Sequence, residues 1–182
     1  MLSAPISFST ELCVLGPFLV ATTPTGICAV LFGEDTVALE DDLAQRFASA
    51  TRIREDNDAL LGQVAAFIAS PRGGIEATLD MQGTAFQRRV WNALRTIPAG
   101  KTASYVDIAK SMGVPTAARA VAGACAANPL AVVVPCHHVV RQNGDLSGYR
   151  WGVERKRALL WSEREQSHVH LRSGVTARAC GA

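Results

Sequence analysis

The sequence predicts an α+β chain, with strands concentrated in its first part and a helix-turn-helix at the centre of its second. Three observations carry this expectation. Apolar runs bounded by Gly, Pro and Thr recur before residue 35. Two N-cap signatures open helical patterns after residue 83. A short apolar run, residues 131–134, reads as a strand ending in Pro135-Cys136-His137-His138-Val139, which sets a nucleophile beside a proton acceptor. With 182 residues and 48% hydrophobic content, the chain can bury a core as one compact unit or two small packed domains.

In chain order, residues 12–21 and 26–33 read as a hairpin of strands. Apolar residues at helical spacing over 39–47 and 59–68 predict two helices, the second stopped by Pro71-Arg72-Gly73-Gly74, and 75–79 offers one more strand. This part shows no catalytic constellation and is expected to serve as a scaffold. The second part opens with the capping box Thr84-x-x-Gln87, followed by Phe86, Val90, Trp91 and Leu94 on one helical face. Ile97-Pro98-Ala99-Gly100 ends that helix, and Ser104-x-x-Asp107 caps a short one running to Met112 and closed by Gly113. Pro115 fits the first turn of a further helix that reaches Cys125 before Asn128-Pro129 breaks it. Helix, three-residue turn, helix is a helix-turn-helix pattern.

The second of those helices carries one arginine, Arg119, among alanines and a glycine, whereas a base-reading helix usually carries several Arg, Asn or Gln residues. Small residues permit close approach to a groove wall without sequence readout, and they equally permit tight packing inside a core. After the Cys-His segment, the Asn143-Gly144 turn predicts a hairpin that would stand as a wing. Residues 151–163 form a last helix, with Val153, Arg157 and Leu160 on one face, Glu154, Arg155 and Lys156 mostly solvated, and Glu163 at its end. From Arg164 onward, His168, His170 and Cys180 included, periodicity is lost and a disordered tail is expected.

Charge divides the chain. Residues 1–85 hold 11 acidic and 4 basic side chains, and residues 86–160 hold 3 acidic and 11 basic. The basic part has the footprint of a polyanion binder, or of a solvated face docked on the acidic part. Five widely spaced cysteines with no C-x-x-C argue against a disulfide framework and a zinc cage. No apolar run approaches the roughly 20 residues of a membrane span, and the N-terminus lacks a signal-peptide pattern, so a cytoplasmic location is expected.

A Cys-His neighbour pair is weak evidence alone, since adjacent residues of an extended chain point to opposite faces. Its company is more telling: Gly83-Thr84-Ala85-Phe86-Gln87, Val90-Trp91, Ile97-Pro98-x-Gly100, Ser104-Tyr105, Ala118-Arg119-Ala120-Val121, Asn128-Pro129, Pro135-Cys136-His137 and Gly148-Tyr149. Together these resemble the O6-alkylguanine-DNA alkyltransferase family, weakly before about residue 80 and strongly from Gly83 to Glu163. The resemblance implies a ribonuclease-H-like N-terminal α/β domain (1–81), a winged helix-turn-helix domain (82–164) and a tail (165–182). It implies irreversible, single-turnover transfer of an alkyl group from O6-alkylguanine, and from O4-alkylthymine, in double-stranded DNA to a cysteine. No cofactor, metal or membrane is implied, and a monomer is expected.

On that resemblance Cys136 is the acceptor, His137 the base acting through a water, and Glu163 the group that orients and polarises His137. Asn128 holds the turn before the site, and Tyr105 donates to the departing guanine. Arg119, Ala117, Ala118, Val139, Tyr149 and Arg150 complete the contacts to DNA and base. A free thiol with a pKa near 8.5 is a few per cent ionised at neutral pH, so complete ionisation would gain roughly 30-fold, about 2 kcal/mol. In-line positioning and stabilisation of the leaving guanine must supply the rest. The family's usual motif has arginine where this chain has His138, a second imidazole able to compete as base. The rival classes are a non-catalytic binder of alkylated DNA, a helix-turn-helix DNA-binding protein, and a Cys-His hydrolase that would turn over.

Overall fold

The computed structural model describes residues 4–71, 75–146 and 148–175, with the backbone alone for 167–175. It is a mixed α+β fold. Four strands form the first sheet: β1 (Ile6–Cys13), β2 (Gly16–Thr23), β3 (Gly26–Phe32) and β4 (Arg52–Arg54), in the order β3-β2-β1-β4. The first three make an antiparallel meander and β4 lies parallel to β1. Residues 12–21, expected to be one strand, straddle the β1–β2 turn, where Gly16 takes φ +102° and lets the chain reverse. The partner of that hairpin is therefore β1, whose mixed inward and outward residues hide it from an apolar-run search.

Helix α1 (Thr36–Arg46) packs on β2 and β3, and α2 (Asp58–Ala69) on β1 and β2. Asp35 and Asn57 cap them by accepting from Ala38 N and Leu60 N. The expected strand at 75–79 is reduced to one bridge, Leu79 beside Ile27. That bridge has a purpose at the sheet edge. Ile27 N–H donates to Thr78 O and Asp80 N–H to Ile27 O, while Val30 N–H donates to Pro129 O and Ala131 N–H to Val30 O. The outer edge of β3 is thereby covered from both segments, leaving its backbone groups satisfied. The same bonds fasten the loop carrying Asn128 to the sheet, and one continuous core of buried side chains spans both parts of the chain.

Helix α3 (Ala85–Leu94) starts at the reciprocal capping box of Thr84 and Gln87, and buries Val90, Trp91 and Leu94. Helix α4 (Tyr105–Ser111) starts at the box formed by Ser104 and Asp107. Helix α5 (Ala118–Ala126) begins later than the position of Pro115 suggests. Gly113 turns the chain at φ +75°, and Ala117 N–H closes a turn on Val114 O, so Pro115 belongs to a longer connection and not to the helix. Two short strands, β5 (Ala103–Ser104) and β6 (Val139–Val140), pair in parallel. The hairpin expected at Asn143-Gly144 keeps its turn, with Gly144 N–H on Arg141 O, but no flanking ladder forms among the described residues. Val139 and Val140 are already committed to β5.

Helix α6 (Val153–Val175) runs well past Glu163, which corrects the tail expected from residue 165. Gln166 explains the continuation: its amide donates to Ala69 O at 3.1 Å and its carbonyl accepts from Ser70 Oγ at 3.1 Å, tying the helix to the end of α2. His168 and His170 fall within this helix; residues 176–182, and so Cys180, lie outside the described residues. The buried face of α6 is Lys156, Leu159, Leu160 and Glu163, not the face of Val153 and Arg157. Lys156 is fully buried, contrary to the expectation that it is solvated, and Arg155 folds back to donate to Leu15 O and Gly33 O. Among the described residues no helix is long and apolar enough to cross a membrane.

Candidate active site

The apolar run 131–134 is not a strand. Asn128 Oδ1 accepts from Leu130 N at 2.9 Å, Val134 N–H returns to Leu130 O at 2.9 Å, and Val132 sits at φ +64°. A β-branched residue in that region is strained, and such strain persists only where the surroundings hold it. The turn delivers Cys136, His137 and His138 as a single 3₁₀ turn, Cys136–His138. That geometry, unlike an extended chain, lets consecutive side chains share one environment. Cys136 is 6% exposed, and Asn128 Nδ2 donates to its Sγ at 3.2 Å while also reaching Val134 O at 2.9 Å.

Both imidazoles meet Glu163. His137 Nε2 lies 2.9 Å from Glu163 Oε1, and His138 Nε2 lies 2.7 Å from Glu163 Oε2. Gly100 N–H donates to Oε2 as well, at 2.6 Å. A carboxylate only accepts, so each Nε2 carries the hydrogen, and the lone pair of a neutral His137 sits on Nδ1. Neither Nδ1 atom has a hydrogen-bond partner among the described residues. The same three side chains have the donor types of a small metal site, their ligand atoms lying within 4.8 Å of one another, but here they satisfy each other by hydrogen bonds.

Ionisation at the site is set by burial. Desolvation pushes the Cys136 thiol up to about 11, only partly opposed by Asn128, Lys156 and Arg46. This corrects the free-thiol value used above: generating the thiolate at neutral pH costs about 5 kcal/mol, not about 2. Burial pulls His137 down to about 4 despite its bond to Glu163, so it is neutral and able to accept a proton. Burial alone would raise Glu163, yet hydrogen bonds from His137 and then His138 hold it well below the usual carboxylate range. The resting site is a thiol, a neutral His137 and a carboxylate.

Around this centre Lys156 Nζ donates to Val139 O at 2.5 Å, and burial lowers its pKa against the pull of Cys136 and Cys125. Tyr149 is buried with its ring 6.4 Å from that of His137, and Trp151 stacks edge-on behind it at 5.3 Å. Tyr105, half-buried, lies against the Gly148 backbone, where an added Cβ would come within 3.2 Å of its hydroxyl. Burial raises its pKa, so it keeps the proton a donor needs. Arg119 and Ala120 are exposed on α5, as are Gly123 and Ala126, while Val121, Ala124 and Cys125 pack inward. Three small residues, Ala120, Gly123 and Ala126, thus face outward, and Gly123 has open space where a side chain would go; core packing does not explain these three. Ala117 and Ala118, at the start of α5, are half-buried. Arg150 is engaged elsewhere, 2.6 Å from Asp42 of α1.

Three contributors escaped the sequence reading. Arg46 of α1 binds Asp42 and reaches Ala127 O at 3.4 Å, so the scaffold supports the Asn128 loop directly. Gly100 contributes only its backbone. Lys156 was readable from its spacing of three, four and seven to Leu159, Leu160 and Glu163, which marks one helical face.

A family model described as 6-O-methylguanine DNA methyltransferase, DNA binding domain, matches residues 85–165. The bifunctional transcriptional activator/DNA repair enzyme Ada of Escherichia coli K12 is 49% identical over 155 residues, covering 84% of this chain and 44% of that protein. The chain thus spans under half the length of Ada. The inducible methylated-DNA–protein-cysteine methyltransferase of Bacillus subtilis is 37% identical over 155 residues, covering 82% of this chain and 86% of that protein. A Mycobacterium tuberculosis OGT structure, solved in complex with DNA, superposes with a TM-score of 0.74 at 36% identity, covering 87% of this chain and 93% of that one. With the Bacillus relative covered over most of its length and the fold shared, the chain belongs to the O6-methylguanine-DNA methyltransferase family.

Proposed function

We propose that this protein repairs DNA by direct reversal, moving the alkyl group of O6-alkylguanine in double-stranded DNA irreversibly onto Cys136. The observation that carries the reading is the buried alignment of Asn128, Cys136, His137 and Glu163, with Asn128 Nδ2 on the sulfur and Glu163 on the far nitrogen of His137. In the reaction the sulfur forms a bond to the alkyl carbon as the carbon–O6 bond breaks. The thiol proton passes through a water to Nδ1 of His137, and Tyr105 donates to the departing guanine.

A thiol at about 11 and an imidazole at about 4 do not exchange a proton readily at rest. Deprotonation is therefore coupled to arrival of the damaged base, whose extrusion from the stack brings the electrophile to the sulfur. Exposed Arg119 and the small-residue face of α5 suit sequence-independent approach to DNA, with Ala117 and Ala118 at the backbone. Arg119 fills the gap left by the flipped nucleotide. The carbonyls of Cys136 and Val139 read the exocyclic amine, Tyr149 walls the pocket, and Arg150 joins the DNA contacts on leaving Asp42. We assign residues 1–81 to a ribonuclease-H-like domain and 82–164 to a winged helix-turn-helix domain. The meander supports the first assignment and the α4–α5 pair the second. We place the protein in the cytoplasm as a monomer that needs no cofactor.

A thioether is a poor leaving group, so each chain reacts once. Titration with a duplex carrying O6-methylguanine should saturate at one methyl group per chain and vanish in Cys136→Ala. Continued turnover would refute the single-use mechanism, and binding without transfer would make the protein a damage binder.

A further inference from the structure

We propose that His138 is a positioning residue: it pins the second oxygen of Glu163 and, through that carboxylate, the orientation of the His137 ring. The inference deepens the alkyl-transfer reading and rests on it. Glu163 is 1% exposed and its two oxygens serve different partners, Oε1 facing His137 and Oε2 taking both His138 and Gly100 N–H. Two donors on Oε2 fix the carboxylate plane, and with it the direction from which Oε1 holds the His137 ring. The two rings lie edge to face with centroids 4.4 Å apart, so neither can turn without disturbing the other.

His138 differs from His137 in its surroundings. With Glu163 it lines a cavity of about 670 Å³, whose wall includes Arg95, Ile97, Pro98 and Val133. Its Nδ1 has no hydrogen-bond partner among the described residues.

The test is single-turnover methyl transfer by the full chain from an O6-methylguanine duplex, with duplex affinity measured in parallel. His138→Leu should slow transfer by about 10- to 100-fold, the range for losing a hydrogen bond to a charged group, with affinity unchanged. His138→Gln, whose amide can donate at the same place, should restore most of the rate. In His138→Ala, free imidazole should enter the cavity and raise the rate. The leucine variant reacting at the parental rate, or glutamine failing as badly as leucine in a folded protein, would overturn the proposal while leaving alkyl transfer intact. An unsubstituted protein that binds the duplex but never transfers would overturn the function reading instead.

Discussion

Replacing Asn128 by alanine should damage stability and chemistry together, by amounts the structure lets us apportion. Asn128 is fully buried, and its amide serves four groups: Leu130 N–H, Leu130 O, Val134 O and the Cys136 sulfur. The two carbonyls keep other donors, because Val134 N–H reaches Leu130 O and Cys136 N–H reaches Val134 O. Leu130 N–H does not, and an orphaned buried donor costs about 1–3 kcal/mol. With the weaker bonds and the packing lost, Asn128→Ala should destabilise the fold by about 3 kcal/mol, which lowers Tm by roughly 6–12 °C in a chain of this size. Asn128 is also the main group opposing desolvation of the Cys136 thiol. Loss of that bond to a developing thiolate should slow transfer a further 10- to 100-fold, on the order of 1.5–3 kcal/mol. Calorimetry and single-turnover transfer below the melting transition measure the two effects separately. A variant with parental Tm and parental rate would refute the reasoning, since it would mean the turn at 128–134 stands without its buried amide.

Two further outcomes follow from the site. His137 is held below its unfolded value by burial, so between about pH 6.5 and 4 the unfolded chain binds the extra proton. Stability is then present above that window and falls as pH drops through it, by up to about 3 kcal/mol, with the depressed Glu163 adding a loss in the same direction at lower pH; denaturant melts at pH 7 and pH 5 check the sign. Arg119→Ala should weaken duplex binding similarly for different flanking sequences while leaving the melting temperature unchanged, because Arg119 is exposed on α5 and makes no side-chain hydrogen bond or ion pair among the described residues; fluorescence anisotropy with several duplexes measures it.

What the sequence exposed and what it concealed divide along physical lines. The capping boxes at Thr84 and Ser104 were legible because a cap is a local bond between residues three apart. Cys136, His137, Asn128 and Glu163 stand out in the sequence by residue type and motif, and the structure brings them within hydrogen-bond contact. The 131–134 turn was not legible, since four apolar residues in a row fit a buried strand as well as a buried turn, and only Asn128 and the edge of β3 decide between them. Lys156 was misplaced because a buried lysine defies its own hydropathy; its place depends on Val139 O and the sulfur atoms nearby, which are distant in sequence. The role of Arg46 was invisible for the same reason, as its target at Ala127 lies 81 residues away.

On the function proposed above, one buried sulfur among several is the alkyl acceptor. Cys13, Cys28 and Cys125 are also free thiols, and Cys125 is close enough to Cys136 for charge on the Cys136 sulfur to raise the cost of ionising it. After reaction with an O6-methylguanine duplex, peptide mapping by mass spectrometry should find a single S-methylcysteine at residue 136, equal in amount to the guanine restored. Methyl on Cys125 or another cysteine, or restored guanine with every cysteine unmodified, would contradict the account.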